Sequence, residues 1–179
     1  AASDVYKRHG VWIEGPGTAG NHVEGNWIGT DVTGTQARGN ARGGIAILAQ
    51  ASQNTIGGST LDAGNLISGN NQDGVLVQGV GTSENQIVGN YIGTTAGGTA
   101  ALPNGNTGVL IMEGARDNSV GGDTPGARNV IGGHSGAGVV IQDTGTNGNQ
   151  VIGNLIGTNA SGTAALGNGM GVVVSYGAQ

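Results

Sequence analysis

Short apolar stretches recur along this chain, and within each stretch the apolar residues stand two positions apart. Gly74-Val75-Leu76-Val77 is typical: valine follows a glycine, and a second valine stands two places later. Alternate residues of a β-strand share a face, so this pattern predicts short strands with one buried face. The same pattern starts at these glycines: Gly10, Gly44, Gly74, Gly108, Gly138 and Gly171.

A longer motif repeats with a strict period. Residues 85–94 (NQIVGNYIGT) have counterparts 64 positions earlier, at 21–30, and 64 positions later, at 149–158. The strand-starting glycines are spaced 34, 30, 34, 30 and 33 residues apart, so the 64-residue period consists of two unequal turns. Each turn has three short strands, and its extra loop alternates between two corners. A period of this kind indicates a solenoid.

Strands of four residues are not stable alone, but stacked turns place equivalent strands side by side. We therefore expect an all-β fold, a single-stranded parallel β-helix of about five turns with three short parallel sheets. Residues 10–179 form the predicted repeat domain, and residues 1–9 are a lead-in and a candidate cap. The residues predicted to be buried and stacked are Val11, Ile13, Val75, Val77, Ile87, Ile92, Val109, Ile111 and Ile156.

Asparagine opens the second and third strand of each predicted turn. The first series is Asn21, Asn54, Asn85, Asn118 and Asn149, and the second is Asn26, Asn65, Asn90, Asn129 and Asn154. Such amides could be ligands for a sugar or a metal, or they could form buried ladders along the solenoid. We favour ladders because every turn repeats the pattern, which a binding site would not do.

The glycine- and asparagine-rich phrases carry a family resemblance. Residues 89–94 (GNYIGT), 118–122 (NSVGG) and 127–131 (ARNVI) resemble the right-handed parallel β-helix repeats of pectin-lyase-like proteins, especially those of large bacterial surface proteins. The resemblance extends from Gly10 to Tyr176 and implies a right-handed helix. It implies no single activity, because lyases, hydrolases, epimerases, adhesins and phage fibres share this fold.

Composition narrows the classes of partner. The net charge of −5 argues against nucleic acid and an anionic membrane surface, and no apolar run is long enough for membrane insertion. There is no cysteine and no phenylalanine, and aromatic residues make up only 3% of the chain. The interior must therefore be filled by small and β-branched side chains. The first ten residues lack the apolar core of a signal peptide.

The residues give little sign of catalysis. A polysaccharide hydrolase needs a pair of carboxylates and a calcium-dependent lyase needs several, yet none of the 11 acidic residues is adjacent to another in the sequence. We expect no catalytic residue, no metal site and no cofactor, and we lean against an enzyme. His134 falls in a corner, where an exposed side chain is expected. Arg116 and Arg128 could bind an acidic sugar, but they form no basic patch.

Two predicted outward columns are apolar, although a solvated sheet face should be polar. The first-strand column is a candidate partner interface formed by Trp12, Leu76, Leu110, Val140 and Val173, with Ala46 between them. The third-strand column contains Trp27 and Tyr91, which we predict to lie two turns apart as candidate carbohydrate-binding rings. Either the long loops cover a column or a partner does. We weigh these evenly for the third strand and favour a partner for the first.

These patterns lead us to expect a non-catalytic extracellular module, structural or adhesive, of a bacterial surface or fibre protein. The alternatives are a fragment of a polysaccharide lyase or glycoside hydrolase, or a polysaccharide-binding module. Expected partners are a polysaccharide, further copies of the chain, or the rest of a longer solenoid. We expect the protein at the cell surface or outside the cell.

Overall fold

A computed structural model describes residues 9–60 and 62–179, and its strands form three sheets. The first sheet consists of β1 (Val11–Glu14), β4 (Ile45–Leu48), β7 (Val75–Gln78), β10 (Val109–Met112), β13 (Ala137–Gln142) and β16 (Met170–Ser175). The second consists of β2 (His22–Val23), β5 (Thr55–Gly57), β8 (Gln86–Val88), β11 (Ser119–Gly121) and β14 (Gln150–Ile152). The third consists of β3 (Trp27–Ile28), β6 (Leu66–Ile67), β9 (Tyr91–Ile92), β12 (Val130–Ile131) and β15 (Leu155–Ile156).

Every strand pairs in parallel with its counterpart one turn away, as the repeat predicts. In the first sheet Val75 lies beside Ile45 on one side and Val109 on the other. The only helical element in the described residues is a 3₁₀ turn at Pro125–Ala127, and no helix there has the length and hydropathy of a membrane span. The predicted all-β solenoid is confirmed. The predicted lead-in, apart from residue 9, lies outside the described residues, and the domain division stays a prediction.

The interior is a stack of aliphatic side chains, one layer per turn. Seven of the nine residues predicted to be buried are so, whereas Val11 and Ile156 are half-buried. These two residues are partly exposed because they belong to the outermost turns and lack a neighbouring layer on one side. Burying each valine or isoleucine contributes roughly 1.5–3 kcal/mol, so the stack becomes stable only over several turns.

A column of glycines lies where each first strand enters the core. A Cβ atom on Gly74 would lie 2.8 Å from Cγ2 of Ile92 and 2.6 Å from the carbonyl oxygen of Gly108. Gly108 is crowded in the same way, by Ile131 and Gly138. These positions accept only glycine because neighbouring turns approach too closely for a side chain.

The loops also stack on one another along the solenoid. Each loop contacts the loop of the same type two turns away, so it occupies the height of two turns. The long loops close with antiparallel bridges such as Thr94 to Ala101. The amide of Ala96 donates to the carbonyl of Gly34, one long loop away, at 3.1 Å, although one short turn lies between the two loops. In the other corner Gly126 packs on the backbone of Ser59, again two turns away. Loops of this height fit only on alternate turns, which explains the 64-residue period.

Candidate functional site

The two predicted asparagine series form ladders whose inner rungs are buried. Asn85 shows the pattern: its Nδ2 donates to Oδ1 of Asn118 at 2.9 Å and to the carbonyl of Ala51 at 3.2 Å. Its Oδ1 accepts from the backbone and side-chain nitrogens of Asn54, each at 3.0 Å. Asn90 is placed in the same way between Asn65 and Asn129. Amides saturated in this way hold the corners and have little capacity left for a ligand.

A third ladder, which the sequence analysis missed, runs through Asn40, Asn70, Asn104, His134 and Asn168. It lies at the corner between the third strand and the next first strand. The sequence does indicate this ladder through its spacing, because Asn40, Asn104 and Asn168 stand 64 residues apart. The histidine in the series and the varying distance from the preceding strand concealed it.

The expectation that His134 is exposed was wrong, because its side chain forms a rung of this third ladder and only 1% of it is exposed. Its Nδ1 lies 3.1 Å from Oδ1 of Asn168, which can only accept, so Nδ1 carries the proton. Its Nε2 therefore accepts from Nδ2 of Asn104 at 3.2 Å. Burial lowers the pKa of His134, and the hydrogen bond to Asn168 and the charge of Asp73 oppose that shift only in part.

Trp27 and Tyr91 lie in one column of the third sheet with Leu66 between them, as the repeat predicts. Leu66 is buried, the Tyr91 ring is partly buried, and Trp27 is 49% exposed. The long loops reach this column: a Cβ atom on Gly98 would lie 2.6 Å from Cε1 of Tyr91, and one on Gly34 would lie 3.2 Å from Cζ3 of Trp27. The role of the two rings in carbohydrate binding stays a prediction.

The first-sheet column is continuous, with Trp12, Ala46, Leu76, Leu110, Val140 and Val173 in direct register. Trp12 is about half exposed at one end, and its Nε1 donates to Oε2 of Glu14 at 2.6 Å. Leu76, Leu110 and Val173 are partly buried, whereas Ala46 and Val140 are buried. The role of this column as a partner interface stays a prediction.

Two carboxylates that are distant in the sequence lie on adjacent turns just before the strands of the second sheet. The pairing of Ser83 with Arg116 sets Glu84 beside Asp117 on adjacent turns, which sequence spacing did not reveal. Gln53 Nε2 donates to Oε2 of Glu84 at 2.9 Å, and these side chains line a shallow polar groove of about 360 Å³. Among the described residues, no group of three or more His, Asp or Glu side chains could hold a metal ion.

Asp31 organises the first long loop. Its Oδ1 accepts from the backbone nitrogens of Thr35 and Gln36, each at 3.2 Å, and from Oγ1 of Thr33 at 2.9 Å. Desolvation acts to raise the pKa of Asp31, but these hydrogen bonds together outweigh it and lower the pKa. Asn159 accepts the equivalent bonds in the last long loop. The role of Asp31 is therefore to hold the conformation of this loop.

The last strand, β16, leaves inward positions of the solenoid open. Val172 and Val174 are in register with the buried residues Val139 and Ile141, yet they are 47% and 58% exposed. The first sheet has six strands and the other two have five, so this end is a step rather than a flat face. We call the exposed side of β16, with Val172 and Val174, the end face.

Comparison with known proteins gave no match to a family model, a curated protein or a solved structure. The class follows from the geometry itself. The chain is a parallel β-solenoid of about five turns, with three parallel sheets and asparagine ladders.

Proposed function

We propose that this chain is a non-catalytic structural or adhesive module, and that its end face packs against further solenoid turns. Those turns come from a second copy or from a longer chain that contains this sequence. The finer placement that we propose is among the right-handed parallel β-helices of the pectin-lyase-like class. The proposed setting is a bacterial surface or fibre protein at the cell surface or outside the cell.

One observation carries the proposal, namely the half-exposed Val172 and Val174 on the end face. Among the described residues β16 is an edge strand of the first sheet, and its outer side can pair with another strand. Burying both side chains in a further turn would recover roughly 1.5–3 kcal/mol for each when burial is complete. A solenoid that gains stability from each added turn is suited to building rods and fibres.

Light scattering over a range of concentrations tests this proposal. We expect the average mass to exceed that of one chain and to rise with concentration. Val174→Asp should reduce that association, because a carboxylate on the end face opposes burial. Val32→Asp is the matched control, since Val32 is exposed on a loop and away from this face. A monomer at every concentration, with no longer parent chain, contradicts the proposal.

A second candidate function, polysaccharide binding, is favoured by the column that contains Trp27 and Tyr91. Two strand spacings separate the rings by about 10 Å, which suits stacking on alternate sugars of an extended chain. A panel of acidic and neutral polysaccharides, assayed for both binding and cleavage, tests it. Binding without cleavage, accompanied by a change in tryptophan fluorescence, supports this candidate. Cleavage would favour the enzyme alternative.

A further inference from the structure

A cavity of about 390 Å³ lies over the third sheet, at the C-terminal end of the third-strand column. Its floor contains Tyr91, Val130 and Leu155, which occupy successive turns of that column. Loops from different turns form its walls. Ser59 and Thr60 come from one short-turn loop, Pro125 and Gly126 from the next one, and Ala160 from a long loop.

The cavity is preformed by packing. Gly126 lies against the backbone of Ser59, which joins the two short-turn loops into one wall. Gly98 lies against the edge of the Tyr91 ring and fixes the aromatic part of the floor. The amide of Ala160 donates to the carbonyl of Gly98 at 3.0 Å and so anchors the opposite wall. A ligand would therefore not have to order these walls.

Most polar side chains at the cavity have no partner within the described chain; the exception is Asn90, which its ladder saturates. Among the described residues that line it, Arg128 is the one with a charge, and its exposed guanidinium forms no salt bridge within the described chain. Ser59 and Thr60 are exposed, and their hydroxyls likewise have no hydrogen-bond partner in the described chain. An apolar floor with a few convergent polar groups is typical of a small-molecule site.

We propose that this cavity binds a small carboxylate carried on a ring with an apolar face. The ring packs on Tyr91, Val130 and Leu155, and the carboxylate accepts paired hydrogen bonds from Arg128. Hydroxyl groups on the ring bond to Ser59 and Thr60. This site is separate from the end face, so it goes beyond the structural role and is independent of it. Two sources carry this chemistry, a sugar acid and an aromatic acid.

NMR titration of the isotopically labelled chain tests the site, with glucuronate, phenylacetate and glucose as probes. We expect saturable shifts at the amides of Tyr91 and Arg128 with at least one of the two acids, and none with glucose. Saturation by glucuronate alone identifies a sugar acid, and saturation by phenylacetate alone identifies an aromatic acid. Saturation by both acids shows that the site recognises a carboxylate on a ring and does not distinguish the two sources.

Three variants separate the site from general charge effects. Arg128→Gln should weaken binding by about tenfold or more, the value of one charge-assisted hydrogen bond. Arg116→Gln, which removes the same charge at a different corner, should leave binding unchanged. Ala160→Phe should fill the cavity and abolish binding while the melting temperature is retained. No saturation with either acid, equal binding of glucose, or unchanged binding by Arg128→Gln would overturn the proposal.

Discussion

Asn90 illustrates how single residues hold this solenoid together. Its Nδ2 donates to the carbonyls of Ile56 and Val88 and to Oδ1 of Asn129, and its Oδ1 accepts from Asn65. The side chain is fully buried. One amide therefore bonds to the turns on both sides and satisfies backbone groups that a tight corner would otherwise leave unpaired.

Asn90→Ala should lower the free energy of unfolding by at least about 1–3 kcal/mol, because several buried groups lose their partner. In a domain of this size that corresponds to roughly 2–4 °C in Tm per kcal/mol. Thermal unfolding followed by circular dichroism measures the change. Asn147→Ala is the control, because Asn147 is exposed and in none of the three ladders. An unchanged Tm for Asn90→Ala would show that the ladder is unimportant.

His134 makes the third ladder sensitive to pH. Protonation would place an N–H on Nε2, facing the amide N–H group of Asn104, and would bury a charge. The negative charge of Asp73 opposes this effect only in part, and its Oδ1 already accepts from the backbone nitrogen and Oγ1 of Thr107. The folded chain therefore binds this proton less readily than the unfolded chain does.

Above about pH 6.5, the ordinary pKa of histidine, the contribution of His134 to the free energy of unfolding should not change with pH. Below that pH the free energy of unfolding should fall. The reason is that the unfolded chain takes up the proton first. Denaturant titrations between pH 5 and pH 8 measure the slope. His134→Asn should remove it, since asparagine forms the other rungs, whereas His22→Asn should keep it. A slope that persists in His134→Asn assigns the effect to another group.

At the scale of elements, the loops restrict which residues can stand at a position more strongly than the strands do. Ala96 and Ala160 each bond to the long loop two turns earlier, and Gly126 packs on Ser59 in the same manner. The inward positions of the strands are occupied by either valine or isoleucine, as the varied core columns show. The loop contacts instead require small residues at fixed points, because backbone meets backbone there.

Gly126→Ala should destabilise the chain by about 1–3 kcal/mol, because its Cβ atom would strike the backbone of Ser59, which cannot move aside cheaply. Gly97→Ala is the matched control. Its Cβ atom would meet only the side chain of Thr99, 3.7 Å away, so this change should be neutral or slightly stabilising. Melting temperatures of the two variants test this, and equal values would contradict direct contact between the short-turn loops.

At the scale of the whole molecule, the unit that repeats is the pair of turns. One long and one short turn together present each loop type once, and each loop occupies the height of two turns. The ladders and the core, in contrast, repeat every turn. The architecture should therefore tolerate removal of a pair of turns better than removal of a single turn.

Deleting residues 44–107 removes one short and one long turn and keeps the alternation. This variant should fold cooperatively with a lower Tm, because fewer turns are stacked. Deleting only residues 74–107 removes less of the chain but brings the loops around Ser59 and Gly126 onto adjacent turns, where they collide. We expect it to be less stable than the larger deletion. Circular dichroism and thermal unfolding rank the two, and the opposite order would contradict the two-turn unit.

Much of the site geometry could not be predicted from the sequence. The repeat indicated the first two ladders, but the third includes His134 and lies at a corner of variable length, so its register was concealed. The position of Glu84 beside Asp117 depends on the register of adjacent turns. The cavity around Arg128 depends on loops from several turns, and their contacts arise only after the turns have stacked.

The sequence by itself determined the strands, the period, the parallel stacking and the identity of most core residues. The physical reason is that alternation and strict repetition leave few ways to bury these valines and isoleucines. Only the tertiary structure decided which polar side chains are buried, which loops touch and which inward residues remain open at the end face. Those features depend on contacts across turns, whose distances vary with loop shape and are not encoded in any one repeat.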